Sequence, residues 1–184
     1  MAVQDQFTKA EAAVKDLLEF LGENPDREGL LQTPQRVARS LRELTDGYRQ
    51  NPAEILSTTF EEACDELVVV RDIEFWSLCE HHLLPFHGRA TIGYLPNQKI
   101  VGLSKLGRVV HCFSRRLQVQ EKLTQQIAHS IMEHLKPHGV GVILRATHQC
   151  MAMRGVKTPA EMVTSCLLGQ FRDPTTRAEF LQFR

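Results

Sequence analysis

The chain has 184 residues, with 22 Lys and Arg against 22 Asp and Glu, 42% apolar and 24% charged residues. That length favours one domain with its own core, and the composition excludes long disorder. The zero balance excludes a whole-molecule basic field, and with it bulk attraction to nucleic acid or anionic membrane, while no run of about 18 apolar residues is present to form a transmembrane helix.

The opening MAVQDQFTKAEAAVKD is charged throughout and has no apolar stretch of signal-peptide type, so an intracellular, cytoplasmic protein is expected. Residues 5–22 read as a helix on the spacing of Ala13, Leu17, Leu18 and Leu21, closed by Gly22 and Asn24-Pro25. A second helix begins at Thr33-Pro34, with Thr33 as its N-cap, and buries Val37, Leu41 and Leu44. The composition then shifts to β-branched and aromatic residues. Residues 66–79 and 88–95 read as strands, 104–115 as a short helix, and 118–135 as a longer helix on Val119, Leu123, Ile127, Ile131 and Leu135. Residues 140–150 and 161–171 read as strands, and a last helix follows Asp173-Pro174. Strands in adjacent pairs predict antiparallel hairpins with helices on one face, an α+β arrangement.

Five cysteines, Cys64, Cys79, Cys112, Cys150 and Cys166, are odd in number and widely spaced. In a reducing compartment that argues against a disulfide framework and for metal or catalytic use of some of them, with Cys112 and Cys166 expected as small core residues. Cys79 and His82 lie three apart just after a strand, and thiolate with imidazole is a donor set that zinc prefers. Alone, such a pair is more often incidental. His148 and Cys150, two apart in a predicted strand, would project from one face, and Cys150 completes a Cys-His-Cys set. Three protein ligands leave the open position of a catalytic zinc; a fourth from His148 or Cys64 would make a closed structural site, and both readings stand on spacing alone. His81 and His148 flank the set and suit proton transfer near neutral pH, or orientation of the ligands.

Gly102-Leu103-Ser104-Lys105-Leu106-Gly107-Arg108 opens a predicted helix, whose free N–H groups, with Lys105 and Arg108, suit a phosphate. A plain Ser cap with solvated cations is the alternative. Residues 99–160 hold ten Lys and Arg, Arg115, Arg116, Lys122 and Arg154 among them, against only Glu121 and Glu133. Glu121 either pairs a neighbouring cation or accepts the two adjacent N–H groups of a guanine edge. The rest of the chain is correspondingly acidic, so the neutral total conceals a cationic half suited to a small polyanion.

These motifs, in this order, closely resemble the GTP cyclohydrolase I family: Cys79-Glu80-His81-His82, Gly102-Leu103-Ser104-Lys105, Gln118 through Ile127, His148-Gln149-Cys150 and Met153-Arg154-Gly155-Val156, with Thr33-Pro34-Gln35-Arg36 similar to its N-terminal helix motif. The likeness runs from about residue 9 to the end and is densest over 72–172. Leu117 stands where many members have Pro, and Lys122 where Arg is common; neither touches a motif residue. The resemblance implies zinc ligands Cys79, His82 and Cys150, and catalytic His81, His148 and Ser104. It implies guanine recognition by Glu121 with Gln120, and triphosphate binding by Ser104, Lys105, Arg108 and Arg154 with Arg36 and Arg39 as helpers. It also implies one domain over 1–184, helical over 1–60 and catalytic over 61–184. The expected architecture is a tunnelling fold with an N-terminal helical hairpin, assembled into a toroidal homodecamer with active sites between subunits. The implied reaction converts GTP and water to 7,8-dihydroneopterin triphosphate and formate, the first step of pterin and tetrahydrofolate formation.

Overall fold

Helix α1, Val3–Phe20, is stopped by Gly22, which takes φ +85 and donates its N–H to the Glu19 carbonyl. That left-handed value suits a residue without Cβ. Helix α2, Thr33–Leu44, carries Pro34 in its first turn, but its N-cap is Gln32 and no side chain caps it. Thr33 therefore lies inside the helix rather than capping it. Ala38 is the buried residue of α2, whereas Leu41 and Leu44 are exposed, so the predicted apolar stripe is only partly covered. Arg42 lies over the Phe7 ring at 5.5 Å. The computed structural model describes residues 3–62 and 64–183 and divides into two units, Met1–Thr45 and Asp46–Arg184.

The second unit is α+β. Its strands are β1 (Thr59–Glu61), β2 (Val68–Cys79), β3 (Pro85–Leu95), β4 (Lys99–Val101), β5 (Leu117–Gln118), β6 (Gly139–His148) and β7 (Glu161–Gly169). Its helices are α3 (Pro52–Leu56), α4 (Leu103–Ser114), α5 (Gln120–Leu135), α6 (Gln149–Ala152) and α7 (Pro174–Leu181). Five strands form one sheet in the order β5-β2-β3-β6-β7, antiparallel except for β5, which pairs in parallel with the end of β2 through Leu78–Leu117 and Cys79–Gln118. β1 and β4 form a separate two-stranded ribbon. The short strands β1, β4 and β5 have no alternating pattern of their own and exist because distant partners satisfy their backbone groups.

Helices α4 and α5 cover one face of the sheet. Leu106, Val109 and Val110 of α4 and Leu123, Ile127, Ala128 and Ile131 of α5 join Phe75, Phe86, Ile92, Val142 and Leu144 in the main core. The i, i+4 spacing along α5 is the face turned to the sheet. A second cluster of Ile143, Phe171 and Phe180 packs on the opposite side, so α7 does not share the face of α4 and α5. Gly93 and Gly141 make room for it: a Cβ at either would collide with the Phe180 ring. Cys112 is buried as expected, and Cys166 half-buried. Among the described residues, no helix is long and apolar enough to cross a membrane.

Candidate active site

β2 and β6 are both antiparallel to β3, so they run the same way and end at the same side of the sheet. β2 delivers Cys79 as its last residue. A tight turn follows: the Cys79 N–H donates to the Leu84 carbonyl at 2.8 Å, and the Leu83 N–H donates back to the Cys79 carbonyl at 2.9 Å. Leu83 closes it at φ 56, a left-handed value costly for a side chain with a Cβ. The turn puts His81 and His82 at the surface while Cys79 stays buried.

β6 ends at His148, and the chain passes into the single helical turn α6. The expected strand to 150 is thus two residues too long. Cys150 does not join Cys79 by strand alternation; the turn carries its thiol there. The donor atoms of Cys79, His82 and Cys150 all lie within 4.8 Å of one another. Cys79 Sγ is 3.8 Å from Nδ1 of His82 and 3.8 Å from Nδ1 of His81.

This donor set fits zinc. Tetrahedral coordination with the usual Zn–S and Zn–N lengths sets a sulfur–nitrogen separation of about 3.6 Å, close to the Cys79–His82 distance. Burial pushes the Cys150 thiol above its ordinary value, and the adjoining Cys79 thiol adds to the shift. Two neighbouring thiols resist ionising together, and a divalent cation relieves that repulsion. Among the described residues, only these three form such a cluster, and neither Cys64 nor His148 joins it as a fourth donor.

His148 lies at the end of β6, directly opposite Phe86 of β3 in the strand register, and the two rings stack. Nε2 of His148 is 2.8 Å from Oε1 of Gln120. Burial pushes the imidazole below its ordinary value, while the nearby Glu121 carboxylate pulls it the other way. Glu121 itself is exposed at the start of α5, whereas Gln120 beside it is only 1% exposed, its amide bonded to protein groups. Arg154, just past α6, brings both terminal guanidinium nitrogens to 3.4 Å from Nε2 of His82.

Ser104, Lys105 and Arg108 occupy the first turns of α4, whose N-cap is Gly102 with no side-chain cap. Ser104 is therefore not a cap and is exposed, as is Arg108, while Lys105 is half-buried. Among the described residues, no hydrogen bond or ion pair joins these three to the Cys79 cluster. Arg108 instead lines a cavity of about 630 Å³ with Arg49, His111 and Arg115. A second cavity, of about 600 Å³, is lined by Trp76, His87 and Arg145, and neither cavity includes the cysteine-histidine cluster. Arg36 and Arg39 are exposed on α2 in the first unit. The sequence reading missed Phe86 and Thr164. Thr164 was detectable in principle, as the polar residue between Met162 and Cys166 on one side of β7.

The profile of the GTP cyclohydrolase I family matches residues 10–184. A GTP cyclohydrolase 1 from Wolinella succinogenes is 53% identical over 182 residues, covering 97% of each chain. One from a Synechococcus species is 57% identical over 92% of this chain and 76% of its own, and the one from Homo sapiens is 55% identical over 92% and 69%. Among solved structures, an apo archaeosine synthase QueF-like protein is similar at 15% identity and a TM-score of 0.43, over 54% of this chain and 91% of that one. By the extent and level of these matches, the chain belongs to the GTP cyclohydrolase I family.

Proposed function

We propose that this chain opens the imidazole ring of GTP, releasing formate and forming 7,8-dihydroneopterin triphosphate, at a zinc site built from Cys79, His82 and Cys150. The observation that carries the reading is the convergence of these three donors beside His148 in a chain of this family. Zinc bound there supplies Lewis acidity and brings the pKa of water near neutrality.

The chain's own groups do the rest. Glu121, exposed at the start of α5, accepts the two N–H groups of the guanine edge and fixes the ring. His148 hands a proton to N7, which makes C8 electrophilic. One water adds at C8 and opens the ring to a formamide; a second releases formate. The ribose rearranges, and its carbonyl condenses with the freed amine and loses one water, so the net consumption is one water. His81 and Ser104 carry protons in the opening and sugar steps. Lys105, Arg108 and Arg154, helped by Arg36 and Arg39, hold the triphosphate, which is not cleaved; their role is positioning.

The proposed assembly is a tunnelling-fold toroid, a homodecamer with active sites between subunits. The outer edge of β7 and most of one edge of β2 have no strand partner among the described residues, and joining edges between copies removes them. Residues 1–60 form the helical part and 61–184 the catalytic part of one functional domain. The protein works in the cytoplasm, where its thiols stay reduced, at the first step of pterin and tetrahydrofolate formation.

Incubating the zinc-loaded chain with GTP tests the reading. Formate and, after oxidation, a fluorescent pterin are expected in equal amounts; neither product from a chain with zinc bound overturns it.

A further inference from the structure

We propose that Thr164 and Gln120 are positioning residues that hold His148 with its hydrogen on Nε2, so that Nδ1 is the nitrogen that meets the substrate. The inference rests on the reading of His148 as the proton donor and assigns which of its two nitrogens acts.

The assignment follows from counting hydrogens along one buried chain of contacts. Thr124 Oγ1 donates to the Gln120 carbonyl at 2.7 Å, one helical turn back along α5. A hydroxyl has a single hydrogen. In the 2.7 Å contact between Thr124 Oγ1 and Thr164 Oγ1, Thr164 must therefore be the donor. With its hydrogen committed, Thr164 Oγ1 can only accept from the Gln120 side chain, 3.1 Å away. The same end of the Gln120 amide faces the carbonyls of Leu144, at 3.2 Å, and Met162, at 3.0 Å, which also only accept. Three acceptors on one side fix that end as the NH₂ group, and Oε1 points the other way. There it lies 2.8 Å from His148 Nε2. A carbonyl oxygen does not donate, so Nε2 carries the hydrogen.

Phe86 completes the constraint. Its ring lies flat on the imidazole and opposes a turn that would exchange the two nitrogens. Nδ1 has no hydrogen-bond partner among the described residues and is the nitrogen left bare to meet the substrate. Gln120 is 1% exposed and its side-chain amide is spent on Leu144, Met162, Thr164 and His148, so its contribution runs through His148. Thr164 is the one side chain among the three acceptors, and its single hydrogen, spent on Thr124, leaves its oxygen to receive the Gln120 amide. Thr164→Val keeps the shape and leaves the Gln120 NH₂ group two backbone acceptors in place of three.

The experiment is a long-range proton–nitrogen NMR spectrum of the zinc-loaded full chain labelled with ¹⁵N-histidine, recorded near pH 8 where a free imidazole is neutral, with His148 identified by the signals missing from His148→Gln. The expected pattern is a protonated Nε2 and a bare Nδ1. Thr164→Val should loosen the Gln120 amide and lower kcat about tenfold with the KM for GTP unchanged while Nε2 keeps its hydrogen, and Thr164→Ser should restore the rate. A hydrogen on Nδ1 in the unmodified chain overturns the proposal without any variant, as does a Thr164→Val protein whose kcat matches the unmodified one. A chain that turns over no GTP would remove the catalytic reading and leave the tautomer readable in the same spectrum.

Discussion

Phe86 and His148 face one another across β3 and β6 with ring centroids 4.5 Å apart and planes within 5° of parallel. One ring belongs to the core and the other to the candidate site, so packing and chemistry meet in this pair. Phe86→Leu keeps most of the buried volume but loses the flat surface. It should cost about 1.5 kcal/mol of stability in urea unfolding and lower turnover, because the imidazole gains freedom to turn. Turnover equal to that of the unmodified chain would mean that Gln120 alone holds the ring.

The metal donors and the proton donor should separate cleanly by variant. Cys150→Ser should lose both the zinc measured by mass spectrometry and formate release. His148→Ala should keep the zinc and lose turnover. Loss of zinc from His148→Ala would make that residue part of the metal site instead.

Glu121→Gln replaces an acceptor of two N–H groups by one acceptor and one donor. Discrimination between GTP and ITP, which lacks the 2-amino group, should fall by about tenfold or more, read as the ratio of kcat/KM values. An unchanged ratio would place Glu121 outside the guanine contact.

Leu83 occupies its left-handed conformation in the turn that presents the histidines, with 54% of its surface exposed. Asn tolerates that conformation better, so Leu83→Asn should raise stability by about 0.5 kcal/mol with zinc content unchanged. A fall in stability in the urea midpoint would show that the Leu83 side chain contributes more by contact than it costs by strain.

Cys112 is fully buried, and burial pushes its thiol above the ordinary value of 9.0, with the Arg116 guanidinium pulling partly back. The folded state therefore holds this proton more tightly than the unfolded state. Its contribution to stability is complete below about 9.0 and is lost as the pH rises from there through the folded value. Urea unfolding across that range should show a steeper decline for the unmodified chain than for Cys112→Ala. Parallel profiles would count against it.

Much of this architecture is legible from side-chain periodicity. The α5 face of Leu123, Ile127 and Ile131 is buried as its spacing requires, and β2 ends at Cys79 as its composition indicates. What sequence cannot carry is a choice made by distant backbone. Alternation fits a strand through Cys150, but β6 has paired partners only as far as His148, opposite Phe86, and beyond that point the chain is free to coil. Thr33 is a good capping residue by chemistry, yet Gln32 holds the position because the helix begins at Thr33, one residue earlier than Thr33 as cap would require. Gln120 and Glu121 look equivalent in sequence, as neighbours in one motif. Their roles diverge because a helix turns one toward β6 and β7 and the other outward.

With zinc in the candidate site, the shared end point of β2 and β6 would give the three donors a part in folding. A chain with β6 still unpaired owns Cys79 and His82 but lacks the third donor, and two donors hold an ion poorly. Zinc would therefore be captured tightly only after β3 has drawn its two flanking strands level, which would make metal uptake a check on those strand pairings. Once caught, the ion ties segments far apart in the chain, and protease resistance gained on zinc addition would report how many molecules have passed that check.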